Sequence, residues 1–422
     1  MLTGKRRYGM LFWLFFITLI SMMDRVNIAI AAPFMMKEMA LSPSAMGIIM
    51  SAFTIGFAFS NFSAGFLLEK LSCRRLLSGI ILFWSVMTVF TGLAWSFLSL
   101  LIIRIAFGLF EGPMPAANTA IVNNWMFPGE RGRASGLWLT AIPIGTILGN
   151  MLSAVIATEF GWRAIFYVFG IGGIFVAVLN WILMRDNPAD HPGMTAGEVS
   201  EIQAAIGQRS RTMNNLKSGM TFKQLMANGA VWTLFGIFFA LLCLIWANVN
   251  WLPTYFMKTR GANLIASGFF TSITAVCGTM GPLAVGWLSD KGGNRIRSLW
   301  LALALFLVVP SIVVAINASS IAVCLAGFSV ATFLCYGCLG IMFTMPMELF
   351  EGTDVAKVAG IMLSGGSLGG IVGAILVGYV LQVTASFNMA YYVFSGFAFA
   401  AACLSLLLLR KERLPSLSVA LV

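Results

Sequence analysis

The sequence predicts an all-α membrane protein of twelve transmembrane helices in two pseudo-symmetric six-helix bundles, and three observations carry that prediction. The 422 residues are 59% hydrophobic and 10% charged, with a mean hydropathy of +0.92. That is too little charge to coat a globular domain and more apolar surface than one core can bury. The apolar residues gather into stretches long enough to cross a bilayer, about 20 residues each, and the second half of the chain echoes the first. Composition excludes a soluble α/β enzyme and a disordered tail. A disulfide-stapled secreted domain fails as well, because the seven cysteines are scattered through apolar stretches.

In chain order the spans are placed at 10–34, 44–68, 75–95, 97–118, 132–157, 163–184, 228–257, 264–288, 297–317, 320–346, 355–382 and 387–410. The first runs through Asp24-Arg25 with no small-residue cleavage site after it, so it is expected to stay in the mature protein. The fourth carries Gly112, Pro113 and Pro115 near its end, which weaken a helix and leave carbonyls without their usual partner. Between the sixth and seventh spans lies the longest polar stretch, 185–226. It divides the chain into an amino-terminal half, 1–184, and a carboxy-terminal half, 227–422. Thr195 and Glu198 within it form a T-x-x-E capping box, which predicts a short amphipathic helix through Ile202 and Ile206 on the membrane surface.

Charge fixes the orientation expected. With the amino terminus inside, the segments on that side hold twenty of the 26 Lys and Arg residues and the outer loops hold only Lys37, Arg163, Lys258 and Arg260. The positive-inside rule then puts both termini in the cytoplasm of a plasma (inner) membrane. The formal charge of +11 is read as these lipid-facing loops, so no nucleic-acid partner is expected.

The halves match at two places. GFLLEKLSCRR (Gly65, Glu69, Lys70, Arg74, Arg75) is echoed by GWLSDKGGNR (Gly286, Asp290, Lys291, Arg295), an offset of 221 between the glycines. FPGERGRASG is echoed by FEGTDVAKVAG, an offset of 224 between Gly136 and Gly360. Two matches at nearly one offset indicate duplication. Parallel six-helix repeats of this kind are a transporter architecture, with substrate expected near the midplane. Gly65, Glu69, Arg74, Arg75, Asp290 and Arg295 are assigned to gating.

GFLLEKLSCRR also resembles the helix 2–3 signature of the major facilitator superfamily. DRVNIAIAAPFM, RIAFGLFEGPMPAAN, FPGERGRASG, GWRAIFYVFG and RDNPADHPGMTAGE resemble its anion:cation symporter branch. The likeness is strongest over the first 200 or so residues; the second half fits in topology and in its weaker GWLSDKGGNR copy. The resemblance implies the major facilitator fold. It further implies that the acids matching Asp24 and Glu111 carry protons, and that Arg25 and Arg104 engage the substrate anion and those acids.

Independently of any family, Asp24, Arg25, Arg104 and Glu111 are the charges deep in spans, all in the first half and summing to zero. Buried ionised groups are expensive and are expected to pair, facing the bundle interior or a watery cavity. Asp24 and Arg25 stand roughly 21 Å up the outward-running first helix, level with Arg104 about 10 Å down the inward-running fourth. Glu111 follows on the same face about 10 Å deeper. The competing reading is a purely structural network.

Sugar-acid carriers of the branch, aligned through Ser51–Phe53, are polar where this chain has Phe57, Ile142 and Ser367. That depletion leaves substrate hydroxyls unpaired and favours a simpler carboxylate or sulfonate. Asn248 and Asn250, beside Trp251, are the candidate substrate ligands of the second half.

Other features are set aside. Cys335-Tyr336-Gly337-Cys338 has C-x-x-C spacing but lies in an apolar span with no second pair. His191, the single histidine, sits in the linker and supplies no catalytic dyad or metal cage. Glycine clusters at 170–173 and 365–370 read as close helix packing. The chain is therefore expected to be no enzyme, to need no cofactor or metal, and to act as a monomer with a small organic anion, protons and the bilayer as partners. Proton-coupled uptake by alternating access is the leading function. An efflux carrier or uniporter of the same fold is the alternative.

Overall fold

A computed structural model describes residues 5–127, 130–197, 199–202, 204, 220–290, 293–350 and 354–411. The described residues include twelve helices long and apolar enough to cross a membrane. The chain is an all-helical, multi-pass integral membrane protein.

In the first half the helices are α1 (Lys5–Glu38), α2 (Pro43–Lys70), α3 (Cys73–Leu93), α4 (Phe97–Glu111), α5 (Met114–Trp125), α6 (Arg131–Leu139), α7 (Ala141–Phe160) and α8 (Trp162–Leu183). The second half has α9 (Phe222–Ala227), α10 (Gly229–Arg260), α11 (Leu264–Asp290), α12 (Gly293–Asn317), α13 (Ile321–Leu349), α14 (Asp354–Thr384) and α15 (Phe387–Lys411). Half of the spans run three or more residues beyond one end of the stretches read from hydropathy, and the others match to within two residues. Ends rich in charge still form helix once their polar side chains can reach the membrane surface. The fourth span departs most: α5 carries it to Trp125, because Pro113 and Pro115 sit at the start of a new helical segment, where proline is tolerated.

Local chemistry sets the ends. Ser96 and Ser99 cap α4 reciprocally, and Thr221 with Gln224 does the same for α9. Gly161, at φ 80°, lets α7 turn directly into α8. The last carbonyls of α12 are answered by Arg260, whose guanidinium donates to Ala315, Ile316 and Ala318 at 2.6–3.0 Å.

By their contacts the residues form two compact units, one of 1–41 and 52–215, the other of 42–51 and 216–422. Inside the first unit α1 packs on α7 and α3 on α8. Inside the second, α10 packs on α14, α11 on α13 and α12 on α15. In terms of spans, first-with-fifth and third-with-sixth recur as seventh-with-eleventh and ninth-with-twelfth, the pattern a duplicated bundle requires. The remaining pair recurs too. Gly56 and Gly108 bring α2 and α4 together backbone to backbone, and Gly281 and Gly337 do so for α11 and α13.

In the linker the carbonyl of Thr195 accepts the Val199 N–H at 3.1 Å, while Glu198 and Ile206 lie outside the described residues. Ile202 is buried. The described part of the expected apolar face is therefore covered by protein, and the rest of it, with Ile206, lies outside the described residues.

The glycine crossing is testable by contrast. A Cβ on Gly108 would press on the Phe53 carbonyl and come within 2.7 Å of the Phe57 nitrogen, whereas one on Gly172 meets nothing within 4 Å. Gly108→Ala should therefore destabilise the purified protein by about 1–3 kcal/mol, and Gly172→Ala should stabilise it by up to about 1 kcal/mol. Thermal unfolding in one detergent reads both; equal shifts would show that the crossing is not tight.

Candidate functional site

The four mid-span charges come together in the first unit. Asp24, Arg104 and Glu111 are buried, at 1%, 3% and 0% exposed, and the Arg25 side chain is 10% exposed. Arg25 Nε donates to Glu111 Oε1 at 2.9 Å, and the Ser21 hydroxyl donates to the same oxygen. The Arg25 guanidinium lies against two neighbouring aromatic rings of α2, 4.6 Å from the Phe57 centroid and 5.0 Å from that of Phe53, the two rings being 5.7 Å apart. Its two terminal nitrogens donate to no group among the described residues.

Arg104 turns the other way. Its Nη2 reaches Asn27 Oδ1 at 3.5 Å, its guanidinium lies 5.4 Å from the Phe107 ring, and its Nε makes no hydrogen bond among the described residues. Asp24 sits under the charges of Glu111 and Arg104 with the Trp84 indole beside it. Neither of its oxygens makes a hydrogen bond of good geometry among the described residues.

This corrects the level arithmetic, which set Arg25 beside Arg104 and placed Glu111 a turn or two deeper. The arithmetic locates Cα atoms, but a helical side chain leans toward its own helix's amino terminus. Arg25 thus sweeps back along α1 past Ser21 to Glu111. On α4, which runs oppositely, the same rule sends Arg104 toward Asn27.

Several members are uncharged and escape a charge inventory. Ser21 and Asn27 belong to a stripe, Thr18, Ser21, Asp24 and Asn27, spaced three apart on an otherwise apolar α1. Asn118 Nδ2 joins it through Thr18 Oγ1 at 3.2 Å. That stripe is the signal that could have found them. Phe53 and Trp84 carry no such signal, because they read as ordinary core.

The remaining predicted residues are dispersed. Ile142 is half-buried at the start of α7, where its carbonyl accepts from Thr146. In the second unit the Asn250 amide is committed to the Trp246 carbonyl at 2.8 Å. The Ser367 hydroxyl is committed to the Leu363 carbonyl at 3.2 Å, and the Trp251 indole to that of Ala374 at 3.0 Å. Asn248 is buried with Oδ1 unpartnered among the described residues.

Of the loop residues, Gly65 lies in α2, and Glu69 and Arg75 are exposed. Arg74 ties α3 to the end of α8: its N–H donates to Asp186 at 2.7 Å, its Nε to the Trp181 carbonyl at 2.6 Å, and its guanidinium stacks on the Trp181 ring. Asp290 ends α11 and Arg295 falls in the first turn of α12, but their side chains lie outside what the structure describes, as do Lys291 and Glu351. Cys335 and Cys338 are buried, free thiols. The His191 ring meets Trp125 edge-on and accepts the Gly193 N–H at 3.1 Å. Burial, then Arg6 and Arg185, hold it below the ordinary imidazole value.

A hexuronate transporter of Bacillus subtilis (strain 168) is 28% identical over 407 residues, covering 94% of this chain and 93% of the relative. A probable galactarate/D-glucarate transporter, GarP, of Escherichia coli (strain K12) is 29% identical over 414 residues, 91% and 90% of the two chains. A probable sulfoacetate transporter, SauU, of Cupriavidus necator is 27% identical over 384 residues, 89% and 87%. The crystal structure of a bacterial homologue of the human lysosomal transporter Spinster superposes with a TM-score of 0.81 at 18% identity, covering 97% of this chain and 99% of that one. The sequence model of the Major Facilitator Superfamily matches residues 14–351. With that match, the twelve spans and the recurring helix pairing, the chain belongs to the Major Facilitator Superfamily and is a membrane transporter, not an enzyme.

Proposed function

We propose that this transporter takes up a small organic anion, a carboxylate or sulfonate, together with protons by alternating access. The observation that carries the proposal is Arg25, held by one nitrogen on Glu111 while the two nitrogens at the fork's end have no hydrogen-bond partner among the described residues. A guanidinium presented this way can take an oxyanion by two parallel hydrogen bonds. The adjacent Phe53 and Phe57 rings steady it by about 0.5–2 kcal/mol.

Charge balance then supplies the coupling. In the empty carrier Arg25 is neutralised by Glu111. An anion arriving on Arg25 would leave one negative charge too many in a site of low dielectric, and a proton taken up by Glu111 removes the excess. Both end states keep the buried charge compensated; the half-loaded states do not. Asp24 lies in the field of Arg104 without a hydrogen bond to it among the described residues, and the same charge balance applies to that pair. The relatives' substrates, hexuronate, galactarate or glucarate and sulfoacetate, agree with an anion, and Phe57 and Ile142 favour one with few hydroxyls. We assign the basic loops and both termini to the cytoplasmic side of the plasma (inner) membrane, 185–226 to a linker between 1–184 and 227–422, the loop residues around Arg74 and Asp290 to gating, and a monomer to the working unit.

Arg25→Lys keeps the charge but cannot form the fork, so most uptake of radiolabelled anion should be lost; affinity near wild type would remove Arg25 from the substrate site. Phe57→Tyr combined with Ile142→Gln should raise the competition of polyhydroxylated acids relative to simple ones. An unchanged ranking would place the selectivity elsewhere.

The test of coupling is Glu111→Gln in proteoliposomes. With the neutral mimic, Arg25 is free for the anion but no proton cycle remains, so accumulation driven by a pH gradient should vanish while counterflow exchange survives. Asp24→Asn should behave alike. Thermal unfolding measured in parallel separates this result from misfolding. Wild-type accumulation against a gradient by well-folded Glu111→Gln would exclude Glu111 as the coupling acid and favour the efflux or uniport alternative.

A further inference from the structure

In the first unit a groove of about 440 Å³ runs between α2, α3 and α4. Its walls are apolar side chains, among them Leu67, Leu76, Ile80 and Phe110. Phe59 and Phe83 at its rim are 75% and 49% exposed and both lie within spans, where exposed apolar rings suit contact with hydrocarbon. The two serines on the wall present nothing to a ligand. Ser60 Oγ is engaged with the Phe57 and Gly108 carbonyls, and Ser63 Oγ donates to the Ser60 carbonyl at 2.7 Å.

The other end differs. Arg75 lines it and is exposed, and among the described residues neither its guanidinium nor the exposed Lys70 ammonium is paired. Glu69 is nearby and exposed as well, while Arg74 is committed to α8. The groove is lined mostly by apolar side chains, with Arg75, unpaired among the described residues, at one end. From Phe59 to Leu71 α2 rises about 18 Å, close to half of a ~30 Å hydrocarbon core. That is the depth of one leaflet.

We propose that this groove holds one acyl chain of an anionic phospholipid from the leaflet on the side of the basic 70–75 loop, with the headgroup phosphate on Arg75. The length fits a single leaflet's tail, the closed serines suit a tail and not a polar ligand, and the unpaired arginine matches a phosphate by a two-pronged contact. An anionic headgroup is favoured over a zwitterionic one because a basic residue at a membrane surface gains about 1 kcal/mol from each such charge. The site is separate from the Arg25–Glu111 centre and does not depend on what is transported.

Gly79 provides the test. It lines the groove, and a Cβ there meets nothing within 4 Å, so a large side chain can fill the space without disturbing the helices. The full chain, purified in detergent, is mixed with phosphatidylglycerol or phosphatidylcholine of identical acyl chains. Lipid retained after washing is counted by native mass spectrometry, and thermal unfolding is followed in parallel. Wild type should retain phosphatidylglycerol in preference to phosphatidylcholine and be stabilised by it. Arg75→Gln should lower that preference roughly fivefold, the loss of one such charge. Gly79→Phe should retain neither lipid, and Leu67→Trp, which fills the groove from α2, should reproduce the loss should the first variant fold poorly. Equal retention of the two lipids by wild type, undiminished phosphatidylglycerol in the folded groove-filling variants, or equal stabilisation by inorganic phosphate would each overturn the proposal.

Discussion

An ionised side chain in a bilayer cannot stand alone, and the first half of this protein is arranged around that constraint. Two acids and two arginines lie where water is scarce, and each must find a partner or shed its charge. The Arg25–Glu111 bridge at 2.9 Å satisfies the rule for one pair. Around it the stripe on α1 supplies hydroxyl and amide groups wherever the helix faces the other charges. Were α1 apolar at Ser21 and Asn27, Glu111 would lose a donor and Arg104 its acceptor, with no solvent to replace them.

Small residues make this possible. Gly56 and Gly108 let α2 and α4 approach until backbone meets backbone, and at that separation Phe53 and Phe57 on α2 reach across to the guanidinium of Arg25 on α1. Phe53 also packs on Phe107 of α4, 5.2 Å between centroids, so the ring that covers one arginine is positioned by the ring beneath the other. A wider crossing would move the aromatic walls off the charges. Helix packing and site electrostatics are therefore set by the same glycines.

The parts of this arrangement legible in the sequence follow one pattern. Span number, the surplus of basic residues in alternate loops and the four mid-span charges depend on composition along the chain, and they can be read there. Which charges touch depends on where long side chains lean. Level arithmetic placed Arg25 with Arg104 because it counts Cα rises, while the actual partner, Glu111, is reached by an arginine extending down its own helix. The commitments of Asn250 and Ser367 to carbonyls one turn back were likewise invisible, since a polar residue in an apolar helix looks the same whether it serves a ligand or its own backbone. Arg74 shows the reverse. A loop motif suggested gating, and the side chain is found closing the end of α8, a contact between third and sixth spans that only packing reveals.

Duplication clarifies which features the fold needs and which the chemistry needs. The second unit repeats the helix pairing of the first, and at the equivalent crossing Gly281 and Gly337 stand in for Gly56 and Gly108. It repeats none of the mid-span charges. In their place α10 carries Trp251, Tyr255 and Phe256, packed with Phe328, Phe387 and Tyr391 into an aromatic cluster with ring centroids 4.9–6.1 Å apart. A crossing geometry needs small residues in both copies, because both must close their backbones to the same distance. A charge network is needed only once, and each further copy would have to be neutralised within the membrane at several kcal/mol per ion. Retaining the glycines while lacking the mid-span charges is the outcome those two costs predict; an ion pair that the second unit does hold, Arg297 with Glu348, lies at the ends of α12 and α13.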